Sequence, residues 1–330
     1  MTLYRSCVPL TSKSITHKYH PETDAFIKFT DEQSVDDGSE ECPVELARKR
    51  LNDGLVTCNG EVEFKGALKD VVLSGSDECN GIPATVYVPT CIPNDAAILV
   101  YFHGGGMVIG SRASVDTTCR RLAMETPCII VNVDYRLAPE FKFPASFEDA
   151  QSAVNWVVKN KATIGGTEKS PVGVGGDSSG GTLAATVAHQ VPGLAFQVLV
   201  YPRVSYKPGP VRRSAKDYED GPILSKDVVA WYRGHFLRGD ADLEDPLLNP
   251  YFRESFANLP PGLLVVAECD PLRDDSYDYQ AKMAEAGVKA EVLQIDGASH
   301  SFFTKPGIFV ECCAKAYKRV TQFIREVAYA

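Results

Sequence analysis

A serine flanked by glycines is the strongest candidate for chemistry in this sequence. Gly176 and Gly180 lie two residues before and two residues after Ser178, which gives the pattern G-x-S-x-G. A valine-rich run precedes the pattern and an apolar, helix-forming run follows it, so Ser178 is predicted on a sharp turn between a strand and a helix. The adjacent Ser179 fits less well, because Asp177 would replace its first glycine. Ser178 is therefore the predicted nucleophile.

A serine hydroxyl needs a base to accept its proton and an acid to orient that base. His300 lies in a loop directly after a predicted strand, and Asp270 directly follows another. Catalytic groups of open α/β sheets gather outside the carboxyl ends of the strands, where both residues are expected. Asp274 and Asp275 are alternative acids, although either could instead begin the following helix. The chain order Ser178, Asp270, His300 is the order expected for an α/β-hydrolase.

The sequence H-G-G-G that begins at His103 follows a predicted buried strand and is suited to binding an oxyanion. Backbone N–H groups stabilise the negative charge that develops on a carbonyl oxygen, and each contributes ~3–4 kcal/mol to the transition state. The predicted donors are the N–H groups of Gly105, Gly106 and Ser179, with Gly104 as an alternative. His103 itself is predicted to anchor this loop by hydrogen bonds.

Alternating strand and helix patterns position these residues. After residue 60 the predicted strands, several of them continuously apolar, follow one another with helices between them. This order is typical of an α/β fold with a mostly parallel central sheet and helices on both faces. We therefore expect a catalytic core of residues 56–203 and 256–330. The polar segment 1–55 and the interruption at 204–255, which has no strand pattern, are expected to cover the site as a cap.

Composition excludes several classes of protein. The 330 residues carry a net charge of −9 and no long basic run, which disfavours nucleic acid and anionic membrane surfaces as partners. The first twenty residues lack the apolar run of a signal peptide, and no run approaches the ~20 apolar residues of a membrane span, so no stable membrane anchor is expected. Ten cysteines without C-x-x-C spacing predict free thiols in a reducing, cytoplasmic compartment.

No metal and no cofactor is expected at the site. The sequence has neither H-E-x-x-H nor clustered histidine and cysteine ligands, which argues against a metal hydrolase. Gly173, Gly175 and Ser178 loosely imitate the dinucleotide-binding pattern G-x-G-x-x-G. The next predicted strand, however, ends without the acidic residue that would bind a ribose, so a dinucleotide-binding domain is rejected.

Five motifs in fixed order resemble the hormone-sensitive lipase family of α/β-hydrolases, which includes microbial esterases, arylacetamide deacetylase-like enzymes and plant carboxylesterases. They are H-G-G-G at 103–106, Y-R-L-A-P-E at 135–140, G-D-S-S-G-G at 176–181, D-P-L-R-D-D at 270–275 and H-S-F at 300–302. The resemblance spans roughly residues 85–325. It implies a serine carboxylesterase for esters with short to medium acyl chains, and a helical cap over the acyl pocket.

The sequence departs from the family pattern at two positions near the predicted site. Met107 follows H-G-G-G where an aromatic residue is usual, and Ser179 replaces a common alanine, where only the backbone N–H is needed. The candidate residues for the substrate pocket are Met107, Trp231, Phe236 and Phe302. A small-molecule ester is the expected partner, and a homodimer is compatible with the sequence.

Other activities on the same scaffold are alternatives to an esterase. An amidase or deacetylase, a lactonase or an acyltransferase would use the same triad, and the motifs do not separate these enzymes. A non-catalytic receptor is a further alternative, because the plant gibberellin receptors resemble this family. Those receptors have lost the catalytic histidine, whereas His300 is present here.

Overall fold

A mixed sheet lies at the centre of the protein, in a computed structural model that describes residues 18–32, 42–75, 81–207, 212–221 and 223–329. Its strands are β1 (Gly66–Leu73), β2 (Ile82–Pro89), β3 (Ile98–Phe102), β4 (Ile129–Val133), β5 (Val172–Asp177), β6 (Phe196–Val200), β7 (Gly262–Cys269) and β8 (Ala290–Ser299). Their order across the sheet is β1-β2-β4-β3-β5-β6-β7-β8. β2 pairs antiparallel with β1 and β4, and all other neighbours are parallel. The predicted, mostly parallel α/β sheet is confirmed.

Helices cover both faces of this sheet. In the described ranges they are α1 (Pro21–Glu32), α2 (Val44–Asn59), α3 (Asp116–Glu125), α4 (Ala145–Lys159), α5 (Ser179–Gln190), α6 (Arg213–Asp217), α7 (Lys226–Phe236), α8 (Arg273–Glu285) and α9 (Val310–Ala328). α3 packs on α9, and α4 packs on α5. The chain moves from β3 to β4 in one direction and from β4 to β5 in the other, so right-handed crossovers place α3 and α4 on opposite faces.

The strands beside the predicted site are buried on both faces. Every residue of β3, β4 and β5 is buried, in agreement with their continuous apolar sequences. β3 therefore ends against the H-G-G-G loop and β5 ends against the serine turn from adjacent positions in the sheet. Parallel pairing of these two strands brings the two motifs to the same edge, as the sequence predicted.

The expected cap segments are helical where the structure describes them. The segment between β6 and β7 contains α6, α7 and two short 3₁₀ helices. α2 continues to Asn59, so the expected boundary at residue 55 falls inside a helix. The helix ends where Gly60 adopts a positive φ of 65° and donates its N–H to Val56, a conformation that suits glycine. Division of the chain into a core and a cap stays a prediction.

A buried ion pair supports the loop that carries H-G-G-G. Tyr135 donates its hydroxyl to the carbonyl of His103 at 2.6 Å, and its ring stacks on the imidazole at 4.4 Å. The next residue, Arg136, donates its backbone N–H and its Nε to the fully buried carboxylate of Asp149 at 2.9 and 3.0 Å. The Y-R-L-A-P-E segment is thus fixed to α4 on one side and to the loop on the other.

We predict that Asp149→Ala lowers the free energy of unfolding by about 2–3 kcal/mol, because it removes the buried carboxylate of Arg136 and leaves only the half-exposed Glu148, at 3.3 Å, as its ionic partner. Urea unfolding followed by circular dichroism measures this change. Asp53→Ala is the matched control, since it removes a carboxylate from the exposed pair with Lys49, at 2.6 Å, and should cost less than about 1 kcal/mol. Equal costs for the two variants would contradict this interpretation.

Candidate active site

The predicted nucleophile lies on a strained turn between β5 and α5. Ser178 is the residue between the two elements, and its backbone has φ 54° and ψ −120°. A positive φ is costly for a residue with a side chain and is maintained only where the surroundings enforce it. Close packing enforces it here: a Cβ on Gly180 would lie 2.0 Å from the carbonyl oxygen of Phe102, and a Cβ on Gly176 would lie 2.5 Å from Gly180. Both glycines of G-x-S-x-G are therefore required by contact with neighbouring backbone.

His300 joins the serine and Asp270 in one chain of hydrogen bonds. Its Nε2 lies 2.9 Å from the Oγ of Ser178, and its Nδ1 lies 2.6 Å from Oδ2 of Asp270. Asp270 follows β7 directly and His300 follows β8, so the ends of neighbouring strands hold both side chains. Both residues are buried, and the backbone N–H of Leu272 donates to the second carboxylate oxygen of Asp270 at 2.8 Å. This geometry can transfer a proton from the hydroxyl to the imidazole.

The two alternative acids are committed to other partners. Asp274 accepts hydrogen bonds from the N–H of Ser214, at 2.8 Å, and from Nε of Arg273, so it links α8 to α6. Asp275 lies 3.1 Å from Arg212, and burial raises the pKa of its carboxyl to about 7. Asp270 is thus the acid that the structure brings to His300.

Three backbone N–H groups near Ser178 have no acceptor among the described residues. They belong to Gly105, Gly106 and Ser179, the predicted oxyanion donors. The N–H of Gly104, the alternative donor, is instead bonded to Oδ1 of Asp177 at 3.1 Å. The carbonyl of Gly105 accepts the N–H groups of two residues beyond it, which folds the loop back on itself. Backbone donors fixed in this way can stabilise a developing oxyanion.

Asp177 ties the oxyanion loop to the serine turn. Its Oδ1 accepts hydrogen bonds from the hydroxyl of Tyr101, at 3.0 Å, and from the N–H of Gly104. Burial raises the pKa of this carboxyl to about 6, against the opposing effects of the Tyr101 hydrogen bond and the positive charge of Lys305. The G-x-S-x-G pattern alone did not reveal this role, because the residue between glycine and serine is variable in that pattern.

A cavity opens in front of Ser178 and His300, and its walls differ from the expectation at three positions. Phe236 lines the cavity as predicted, but Met107, Trp231 and Phe302 do not. Met107 is buried in the core, and Trp231 instead directs its indole N–H to the carbonyl of Cys42 at 3.1 Å. Phe302 packs in the interior, in edge contact with Tyr201 and with two other phenylalanines. Side-chain direction, which motif position does not determine, explains these corrections.

The N-terminal helix α2 supplies cavity residues that sequence reasoning missed. Leu51, Leu55 and Cys58 of this helix line the cavity, opposite Tyr232 and Phe236 of α7. The spacing of 4 and 3 residues between the three α2 side chains places them on one helical face. The sequence pattern of this apolar stripe indicates that one face of α2 is buried, but it does not indicate which surface that face covers.

One group of potential metal ligands lies outside the site. The donor atoms of His20, Glu22 and Cys312 lie within 4.8 Å of one another. The carboxylate of Glu22, however, accepts the backbone N–H groups of Glu311 and Cys312 at 2.8 and 3.1 Å, which caps the first turn of α9. We interpret this group as a helix cap that holds the N-terminal segment.

Comparison with known proteins agrees with the fold and the motifs. A family model described as "alpha/beta hydrolase fold" matches residues 99–304. The chain is 34% identical to Esterase LipI of Mycobacterium tuberculosis over 90% of this chain and 91% of that protein. It is 32% identical to an ethyl acetate hydrolase of Pseudomonas putida over 80% and 85% of the two chains. A solved esterase from Pyrobaculum calidifontis, at 32% identity, covers 95% of this chain and 100% of its own with a TM-score of 0.84. The predicted family resemblance is confirmed.

Across the described residues, no helix combines the length and the apolar character needed to cross a bilayer.

We predict that Asp177 makes stability depend on pH. Its folded-state pKa, about 6, lies above the ordinary value of 3.8, so its stabilising contribution is present at low pH and is lost as the pH rises through about 6. Asp177→Asn retains an oxygen that can accept both hydrogen bonds but does not ionise. Between pH 4 and pH 7 the free energy of unfolding of the wild type should therefore fall by about 2 kcal/mol relative to this variant.

Urea unfolding at both pH values measures the difference for Asp177→Asn. Asp53→Asn, at an exposed side chain, is the control and should follow the wild type. Parallel pH profiles of the wild type and Asp177→Asn would contradict the assignment.

Proposed function

Because the chain belongs to the hormone-sensitive lipase family of α/β-hydrolases, we propose that it is a serine carboxylesterase that hydrolyses small carboxylic esters. One observation carries the proposal. The imidazole of His300 lies 2.9 Å from the hydroxyl of Ser178 and 2.6 Å from the carboxylate of Asp270, and three backbone N–H groups of the same cavity have no acceptor within the described ranges. A nucleophile, a base, an orienting acid and oxyanion donors are thus assembled around one point.

The reaction follows from this arrangement in two stages. Ser178 attacks the carbonyl carbon of the ester while His300 accepts the hydroxyl proton, and the buried carboxylate of Asp270 stabilises the imidazolium that forms. The N–H groups of Gly105, Gly106 and Ser179 hold the oxyanion of the tetrahedral intermediate. The imidazolium then donates its proton to the leaving alcohol, and an acyl-enzyme remains. Water activated by the same imidazole hydrolyses the acyl-enzyme and restores the serine.

The walls of the cavity support short to medium acyl chains as substrates. Leu51 and Leu55 from α2, and Phe236 from α7, are apolar side chains that exclude water from the ester. A relative that is named an ethyl acetate hydrolase supports the lower end of this range. We propose that the described parts of residues 1–55 and 204–255 form a cap over the core of 56–203 and 256–330; residues 1–17, 33–41, 208–211 and 222 lie outside the described ranges. A cytoplasmic location and homodimer formation stay predictions.

Ser178→Ala should lower kcat/KM for p-nitrophenyl butyrate by at least ~10⁴-fold, because the attacking oxygen is removed while the oxyanion donors remain. It should also abolish labelling by a fluorophosphonate probe. Ser179→Ala is the matched control: it keeps the backbone N–H and removes only a hydroxyl group that does not contact His300. This variant should retain most of the activity and the labelling. The reverse result would identify Ser179 as the nucleophile.

Asp270→Asn should lower kcat by ~10⁴-fold, because an amide stabilises the wrong tautomer of His300. Asp274→Asn should have a much smaller effect, since Asp274 bonds to Ser214 and Arg273 and not to the base. Single-turnover hydrolysis of p-nitrophenyl butyrate compares the two variants directly. A larger loss in Asp274→Asn would mean that Asp270 is not the orienting acid. The same assay run on matched amides and lactones separates an esterase from the alternative hydrolases.

A further inference from the structure

Arg203 lies at the boundary between the active-site cavity and a second, wider cleft, and its side chain lines both. It follows the carboxyl end of β6, three residues beyond Val200. Its carbonyl accepts the hydroxyl of Thr182 at 2.7 Å, and the N–H of Thr182 donates to the carbonyl of Ser178 at 3.1 Å. The backbone of Arg203 is therefore fixed to the helical turn that follows the nucleophile.

The guanidinium of Arg203 is held in place but not neutralised by a bonded carboxylate. Its Nε donates to the carbonyl of Ser205 at 3.1 Å, and its Cζ lies over the ring of Tyr206, 4.3 Å from the ring centroid. The two terminal nitrogens have no hydrogen-bond acceptor among the described residues. The ring contact and the hydrogen bond to Ser205 already restrict the side chain, so it loses less conformational entropy when it binds a ligand. The two terminal nitrogens form a fork that matches a carboxylate.

Other charges near Arg203 are already paired or bonded. Asp275 is the buried carboxylate of the second cleft; it forms its ion pair with Arg212 at 3.1 Å, and the charge of Arg203 acts on it without an ion pair between the two. In the active-site cavity, Arg233 pairs with Asp240 at 2.6 Å. Asp177 also lines that cavity, but its Oδ1 is bonded to Tyr101 and Gly104.

The active-site cavity therefore combines apolar walls with an excess of positive charge. Arg203, Arg233 and Lys305 line it, of which Arg233 has Asp240 as its partner, and Asp177 is the carboxylate that lines the same cavity. The overall charge of the protein is −9, so this local excess is opposite in sign to the molecule as a whole. A neutral ester offers no negative charge to the terminal nitrogens of Arg203, whereas an anionic ester does.

We propose that Arg203 binds a carboxylate group of the substrate, so that the preferred substrates are esters that carry a free carboxylate at one end and an apolar chain near the scissile bond. This inference rests on the proposed esterase function. The carboxylate could belong to the acyl part, as in a half-ester of a dicarboxylic acid, or to the alcohol part, as in an acylated hydroxy acid. Both sources present the same group to the guanidinium.

Two matched ester pairs test the proposal and distinguish the two sources. Mono-4-nitrophenyl adipate and 4-nitrophenyl hexanoate differ by a carboxylate on the acyl part, and 4-acetoxybenzoate and methyl 4-acetoxybenzoate differ by one on the alcohol part. The kcat and KM of each are measured for wild type, Arg203→Gln, Arg203→Lys and Arg233→Gln. Arg213→Gln is the surface control, because that side chain is 85% exposed and lies outside both cavities.

Arg203→Gln should lower kcat/KM for the anionic ester of one pair by ~10- to 100-fold, mainly through KM, since a charged hydrogen-bonded contact is lost. Its effect on the neutral ester of that pair should stay within ~3-fold. Arg203→Lys should lie between wild type and Arg203→Gln, because an ammonium keeps the charge but not the fork. Arg213→Gln should match the wild type.

Three outcomes overturn the inference. Equal losses on anionic and neutral esters would assign Arg203 a structural role. No loss on either anionic ester, or a loss that Arg233→Gln reproduces in full, would mean that the fork is not the binding group. In each case the wild type still hydrolyses the neutral esters and Ser178 is still labelled by a fluorophosphonate, so the proposed function stands. Absence of hydrolysis of every ester by the labelled, folded wild type would instead remove the proposed function and this inference together.

Discussion

The active site depends on close packing between the first turn of α5 and the end of β3. Gly180 sits so near the carbonyl of Phe102 that even a methyl group would lie 2.0 Å from that oxygen. This packing holds Ser178 in its strained conformation and brings the oxyanion loop beside it, because the loop begins one residue after β3 ends. Asp177 then joins the same two segments through its hydrogen bond to Gly104. A rigid scaffold is required before any group here can act on a substrate, since small displacements of catalytic groups are costly.

The sequence predicted the parts of the site that depend on the ends of strands. Strand patterns identified β3, β5, β7 and β8, and the carboxyl ends of parallel strands meet at one edge, so Ser178, Asp270 and His300 could be assigned from the sequence. The choice between Asp270 and Asp274 needed geometry, because both follow β7 within one helical turn. The sequence likewise allowed Gly104 as an alternative oxyanion donor. The structure removes this alternative, because the N–H of Gly104 is bonded to Asp177.

The walls of the cavity could not be predicted in the same way. Trp231 and Tyr232 are adjacent in α7, yet only the tyrosine faces the cavity, and the indole of the tryptophan is bonded to the N-terminal segment. Helical spacing identifies a face but not the surface that covers it. α2 illustrates the same limit, because its apolar stripe was visible while its partner across the cavity was not. The substrate-binding surface is therefore determined by contacts between segments that are distant in sequence.

The contact between α1 and the last elements of the chain has a consequence for the order of folding during synthesis. The N–H of His20 bonds to the carbonyl of Gly297 in β8, and Glu22 caps α9. These partners are made more than 270 residues after α1, so the first helix leaves the ribosome long before it can dock. At the ~5–20 residues per second of translation, it waits for many seconds while β3 to β7 assemble. The apolar residues of α2 that line the cavity likewise stay exposed until α7, which lines the same cavity, has been made.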